Sequence, residues 1–143
     1  MNPTVIPYTE WLAILTALVA TGTPGGLWNT ASCRLFANNF VPAPGMTLSQ
    51  LNEATFTGYA AVAITWGTPA YSPAGPAVVT GNLCVFTVGS SPTVFDTIYG
   101  YFVTTGTSPQ VLLFARQFAT PVVLSSAGQI CDVVPSYATY FPN

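Results

Sequence analysis

The chain has 143 residues, half of them hydrophobic and only 4% charged, with a net charge of −2. It has two arginines, no lysine and no histidine, so it lacks the cation clusters that bind nucleic-acid phosphates or anionic membrane surfaces. The same composition excludes Ser-His-Asp triads, histidine-bound metals and lysine Schiff bases. We therefore expect no enzyme activity, no cofactor and no metal site.

The first predicted element is an amphipathic helix from about Pro7 to Ala20. Apolar side chains recur along it at helical spacing and include Tyr8, Trp11 and Leu15. We expect an arm over residues 1–24 that covers one end of the domain or docks on a neighbouring subunit. Its apolar stretch is shorter than the ~20 residues that cross a bilayer, and no cation precedes it, so we expect synthesis in the cytoplasm without signal-directed export.

After residue 25 the pattern changes to short strands separated by turn residues. The predicted strands are Ser32–Phe40, Tyr59–Trp66, Ala77–Thr80, Leu83–Val88, Asp96–Thr104, Gln110–Phe118, Pro121–Leu124 and Gln129–Val134. Thr47–Ala54 is a predicted helical turn, and the proline-rich loop Thr68–Pro76 is expected to be stiff and extended. This spacing is typical of all-β domains, and we predict a mainly β, single-domain β-sandwich or jelly-roll-like fold over residues 25–143.

Two details of the predicted strands can be tested against the structure. Simple alternation puts Ile98, Gly100 and Phe102 on one face of their strand and leaves the other face equally apolar, which suits a central or interface strand. Arg116 shares a face with apolar neighbours and is expected to form an ion pair. Its candidate partners are Glu53, Asp96 and Asp132.

Cys33, Cys84 and Cys131 are far apart in sequence and form no CxxC pair, which disfavours a zinc site. The first interpretation is that all three are small buried hydrophobic residues. The alternative is one disulfide with one free thiol.

Four segments in order resemble a known group of proteins. They are Arg34–Pro42 (RLFANNFVP), Leu51–Tyr59 (LNEATFTGY), Thr97–Val103 (TIYGYFV) and Leu112–Phe118 (LLFARQF). Together with the predicted N-terminal helix they resemble small virion structural proteins of tailed bacteriophages. The resemblance covers about residues 8–125.

The resemblance implies a capsid decoration (cement) protein that lies on the virion surface, binds the major capsid protein and copies of itself, and forms a homotrimer. Low charge agrees with such a role, because permanent interfaces are large and apolar. We expect the arm, the proline-rich loop and the C-terminal aromatic residues to make the contacts. The predicted interface residues are Tyr8, Trp11, Leu15, Tyr71, Tyr137, Tyr140 and Phe141.

Two other functions remain as alternatives to a decoration protein. A head-fibre or tail adhesin would stack host glycans on exposed aromatic rings, and its candidates are Trp66, Tyr71, Tyr99 and Tyr101. A glycan hydrolase would need two of the carboxylates Glu53, Asp96 and Asp132 about 5–10 Å apart in a cleft.

Overall fold

The computed structural model describes residues 30–67, 77–106 and 108–139. The predicted helix and the proline-rich loop therefore lie outside the described residues. Within these ranges the fold is mainly β with several antiparallel sheets, as predicted, and it contains no α-helix. The strands are β1 (Ser32–Phe36), β2 (Val62–Ala63), β3 (Ala77–Thr80), β4 (Cys84–Thr87), β5 (Asp96–Thr104), β6 (Leu112–Leu124), β7 (Ile130–Val133) and β8 (Ser136–Thr139).

Four strands form one antiparallel sheet in the order β2-β1-β5-β6. β5 is central, with β1 on one side and the long β6 on the other. Its residues carry apolar side chains on both faces, and Phe102 and Val103 are both buried. Of the two alternatives that the pattern allowed, a central strand or an interface strand, the structure shows a central strand.

The remaining strands form two two-stranded antiparallel sheets, β3 with β8 and β4 with β7. The two pairs follow one another along the same two stretches of chain, and we call them together the ribbon. Between the two pairs, the Gly81 N–H donates to the Pro135 carbonyl at 2.8 Å. A Cβ on Gly81 would lie 2.7 Å from the Ile64 side chain, so only glycine fits where the ribbon changes register.

Segment 62–67 joins the sheet to the ribbon. Val62 pairs with Cys33 of β1, whereas the Asn82 N–H donates to the Thr65 carbonyl at 3.1 Å. This stretch was predicted to be one strand over Tyr59–Trp66. It contributes only two residues to β2 because it leaves the sheet to bond to the ribbon.

Apolar side chains form two clusters on opposite faces of the sheet. The first lies between sheet and ribbon and includes Cys33, Leu35, Cys84, Phe86, Ile98, Val103, Leu124, Cys131 and Val133. The second comprises Phe36, Leu51 and Phe102, with partly buried neighbours from segment 40–48. The predicted helical turn in this region is a 3₁₀ turn, Leu48–Gln50, preceded by a capping box at Thr47.

The predicted alternation along β5 is wrong. Ile98 belongs to the first cluster with Tyr101 and Val103, whereas Phe102 belongs to the second. The cause is an irregularity in register, since Ile98 pairs with Val122 but Gly100 pairs with Gln117. A bulge of this kind re-aims side chains between the two faces.

Candidate functional site

The ion pair of the described residues joins Arg34, in the middle of β1, to Glu53. Arg34 Nη1 donates to Glu53 Oε1 at 2.7 Å, and its Nε donates to Thr104 Oγ1 at 3.2 Å. The Tyr59 hydroxyl donates to the same Glu53 oxygen at 2.8 Å and accepts from the Leu35 N–H at 3.1 Å. Burial raises the pKa of Tyr59 above its ordinary value. The network fastens segment 53–59 to β1, which is a structural role.

The predicted ion pair of Arg116 is wrong for the part of the chain that the structure describes. Arg116 is exposed on β6. The salt bridge within the described residues joins Arg34 to Glu53 instead. Glu53 meets Arg34 because residues 52–54 bond to the end of β1: the Ala54 N–H donates to the Leu35 carbonyl at 2.9 Å. Sequence separation gave no indication of this contact.

The three carboxylates of the hydrolase hypothesis occupy three different settings. Glu53 is held in the ion pair, and Asp96 Oδ2 accepts the N–H groups of Thr55 at 2.6 Å and Phe56 at 2.9 Å. Asp132 is exposed on β7. Two of the three are thus engaged in holding segment 53–56 in place.

An aromatic cluster connects the sheet to the ribbon. Phe114 on β6 lies 6.5 Å from Trp66, 6.2 Å from Tyr101 and 5.7 Å from Tyr137, measured between ring centroids. Tyr101 also lies 6.2 Å from Phe118. Burial raises the pKa values of the Tyr101 and Tyr137 hydroxyls. Tyr137 is the single predicted interface residue within the described ranges, and its ring packs in this cluster.

Of the aromatic residues proposed for an adhesin, the three that the structure describes do not form a common exposed platform for a glycan. Tyr101 is 6% exposed, so its ring cannot stack on a sugar. Trp66 and Tyr99 are half-buried and pack against different apolar clusters. Tyr71 lies outside the described residues.

Residues 1–29, 68–76 and 140–143 lie outside the described residues. The other six predicted interface residues, Tyr8, Trp11, Leu15, Tyr71, Tyr140 and Phe141, belong to these three segments.

A second candidate interface is an exposed apolar face that the sequence interpretation missed. Along β4 and β7 burial alternates strictly, with Cys84, Phe86, Cys131 and Val133 turned inward. The opposite face, which we call the outer ribbon face, carries Leu83, Val85, Ile130 and Val134, which are 45–55% exposed. Asp132 was the sign of this face in the sequence. A charged side chain in a strand normally faces solvent, and the side chains two positions away, Ile130 and Val134, lie on the same face.

The three cysteines are free thiols and all are buried, as the first interpretation predicted. Within the described ranges no group of three or more His, Cys, Asp or Glu residues is placed to hold a metal ion. Burial raises the pKa of Cys131 to about 11, with a further contribution from Asp132. The Cys131 thiol is therefore protonated at neutral pH and packs as an apolar group.

Comparison with known proteins gives no match to a family model, a curated protein or a solved structure. The resemblance to virion proteins therefore stays a prediction from the motifs quoted above. In the part of the chain that the structure describes, no helix has the length and hydropathy that crossing a bilayer requires.

Proposed function

We propose that this protein is a non-enzymatic virion structural protein of a tailed bacteriophage. In this proposal it is a capsid decoration protein that binds the major capsid protein and copies of itself, as a homotrimer, and so stabilises the head. Its sheet and ribbon form a β-sandwich whose outer surfaces meet neighbouring subunits.

The observation that carries this proposal is the outer ribbon face. Leu83, Val85, Ile130 and Val134 are about half exposed on or next to the paired strands β4 and β7, and exposed apolar surface on a folded domain is typical of protein interaction sites. Two exposed residues on the same face are not apolar: Asp132 pairs with Val85, and Thr87 pairs with Ile130. Such a face suits an apolar protein surface better than a glycan or a nucleic acid.

The low charge favours lattice contacts over a soluble monomeric role. Charge pairs across an interface weaken as salt rises, because the Debye length falls from about 10 Å at 0.1 M to about 3 Å at 1 M. An interface built from aliphatic and aromatic groups keeps its strength over that range. We therefore expect capsid binding to be insensitive to salt.

Quantitative mass spectrometry of purified virions tests the proposal directly. We expect hundreds of copies per particle, in fixed ratio to the major capsid protein. About a dozen copies would contradict capsid decoration and favour a tail or fibre component. Absence of the protein from the particle would overturn the virion proposal altogether.

The role of the outer ribbon face is tested by binding to empty capsids. The double variant Val85→Thr/Ile130→Thr keeps the side chains branched but makes the face polar, and we expect binding to weaken about tenfold, which corresponds to ~1.4 kcal/mol. The matched control is Val41→Thr/Val123→Thr, at valines that are also exposed but lie elsewhere. Equal binding by both double variants would exclude this face as the contact.

A further inference from the structure

Two charged side chains of opposite sign have no polar partner within the described residues. Of the charged residues in these ranges, Arg34 and Glu53 form an ion pair with each other. Asp96 accepts two backbone N–H groups. Arg116 and Asp132 are both exposed, and no hydrogen bond or salt bridge within the described ranges engages either side chain. One cation and one anion are therefore available to a partner.

The anion lies in the middle of the outer ribbon face. Asp132 pairs with Val85 across the two strands, and Ile130 and Val134 lie two positions away on the same side of the chain. These three aliphatic side chains are 45–55% exposed. The two chain neighbours of Asp132 are buried against the sheet, so the carboxylate points away from the sheet.

The cation lies among aromatic rings on β6, the last strand in the order of the described sheet. Arg116 pairs with Tyr101, whose ring belongs to the first cluster. Alternation places Phe114 and Phe118 on the same side of β6 as Arg116, and both rings are half-buried against that cluster. We call this surface the Arg116 face (Phe114, Arg116 and Phe118).

The two surfaces are complementary in charge and in polarity. The outer ribbon face places aliphatic groups around one carboxylate, and the Arg116 face places aromatic groups around one guanidinium. A contact between them would bury apolar surface on both sides and leave neither charge unpaired, which is what a stable interface requires. Since Asp132 points away from the sheet that carries Arg116, this contact needs a second molecule.

We propose that the outer ribbon face of one copy of this chain binds the Arg116 face of a second copy, with Asp132 paired to Arg116 of the partner subunit. The two surfaces differ, so every copy has one of each to offer. Head-to-tail contacts of this kind close into rings, and a ring of three copies pairs every charge. The inference rests on the self-association in the proposed function and names the surfaces that make it.

The ring also accounts for the expected role of the outer ribbon face in capsid binding. Copies that have lost this contact bind the capsid one at a time, which is weaker than binding as an assembly. The ion pair fixes the direction and register of the contact, and the apolar groups supply most of its strength. A pair enclosed by apolar side chains is screened less than an exposed one, so we expect the ring to persist at high salt.

Exchange of the two charges tests the contact on the purified full chain. Arg116→Glu opposes Asp132 with a second acid, and Asp132→Arg opposes Arg116 with a second base. We expect each single variant to raise the Kd of self-association at least about tenfold in analytical ultracentrifugation, because like charges then meet in an apolar contact. The double variant Arg116→Glu/Asp132→Arg restores an opposite pair and should restore the trimer.

Two controls separate a lost contact from a damaged fold. Ser49→Glu/Ser91→Arg places opposite charges at exposed positions in other segments and should associate like the native chain. At dilutions where the native chain is monomeric, both single variants should unfold in urea like the native chain, because neither charge supports the fold of one copy.

Three results would overturn the proposal: a native chain that stays monomeric at every concentration, single variants that associate as well as the native chain, or a double variant that does not recover. The experiment contains no capsids. It can therefore fail while the copy number on virions still supports the virion role, and absence from virions would overturn that role without changing this result.

Discussion

The four-stranded sheet and the ribbon are both apolar on two faces, but they use the second face differently. The second face of the sheet is covered by the chain itself: Phe36 and Phe102 are buried beneath Leu51 and its neighbours. The second face of the ribbon, with Val85 and Ile130, is half exposed. One region therefore completes its own core, and the other presents an apolar surface outward.

This difference separates residues that specify the fold from residues available for binding. A side chain covered by its own chain contributes to the free energy of unfolding whether or not a partner is present. A half-exposed aliphatic side chain contributes little until a partner covers it. The two regions should therefore respond differently to substitution, and each experiment below tests a part of that contrast.

The largest expected effect is at the covered face of the sheet. Phe102→Ala removes a ring that is 1% exposed, and we expect the free energy of unfolding to fall by about 4 kcal/mol in urea denaturation. The control is Phe95→Ala, at a ring that is 45% exposed, which should cost about 1 kcal/mol or less. Equal losses would mean that the second cluster is not part of the cooperative core.

A second substitution tests how closely strand and cover are packed. A Cβ at Gly100 would lie 2.5 Å from Cζ of Phe36 and would also meet the Arg116 carbonyl, so Gly100→Ala should lower the free energy of unfolding by about 3 kcal/mol. At Gly89 the nearest atom would be 3.4 Å away. Gly89→Ala should therefore be tolerated, and a tolerated Gly100→Ala would contradict the packing described here.

Alkaline pH tests the inner face of the ribbon. Burial raises the pKa of Cys131 from 9.0 to about 11, so between these values the unfolded chain has lost the thiol proton and the folded protein still holds it. Stability is then fully present below pH 9 and falls as pH rises toward 11, by about 2 kcal/mol. Cys131→Val should flatten this part of the curve in denaturation measured at stepped pH, and an unchanged slope would show that the thiol is not buried.

The ion pair between Arg34 of β1 and Glu53 should have a smaller effect. Glu53→Gln keeps the shape but removes the charge that faces Arg34, and the Glu53 side chain is 37% exposed, so we expect a loss of about 1 kcal/mol. Asp132→Asn is the matched control, because no hydrogen bond or ion pair within the described residues engages that side chain. A larger loss at Asp132 would mean that it has a partner and that the outer ribbon face is organised differently.

Much of the sheet could be predicted from the sequence, because turn residues divide the chain into strands of the right length. β3, β4 and β5 were predicted with bounds correct to within one residue at each end. The end of β1 was predicted four residues too late, because the chain leaves the sheet after Phe36 and packs Phe40 against that ring. The bulge between β5 and β6 was not predicted, because the alternation rule assumes an unbroken register.

The candidate site was harder to predict because its features depend on contacts between distant residues. Glu53 meets Arg34 through backbone pairing that no spacing rule indicates. The outer ribbon face was missed because the segment Leu83–Val88 carries apolar residues on both of its faces. The sequence therefore does not show which face is buried. Several residues in the motifs quoted for the resemblance have structural roles. Glu53 and Tyr59 form hydrogen bonds with residues of β1, and Gly58 has a positive φ of 93°.

The smallest expected effect on stability is also the one that bears most directly on function. Val85→Thr/Ile130→Thr changes only half-exposed positions, so the free energy of unfolding should change by less than about 0.5 kcal/mol, although capsid binding is expected to weaken. Urea denaturation of the free protein measures the first quantity and capsid sedimentation the second. A variant that unfolds much more easily would show that the outer ribbon face is covered within the protein itself. The contrast between sheet and ribbon would then be lost, because both regions would complete their own cores.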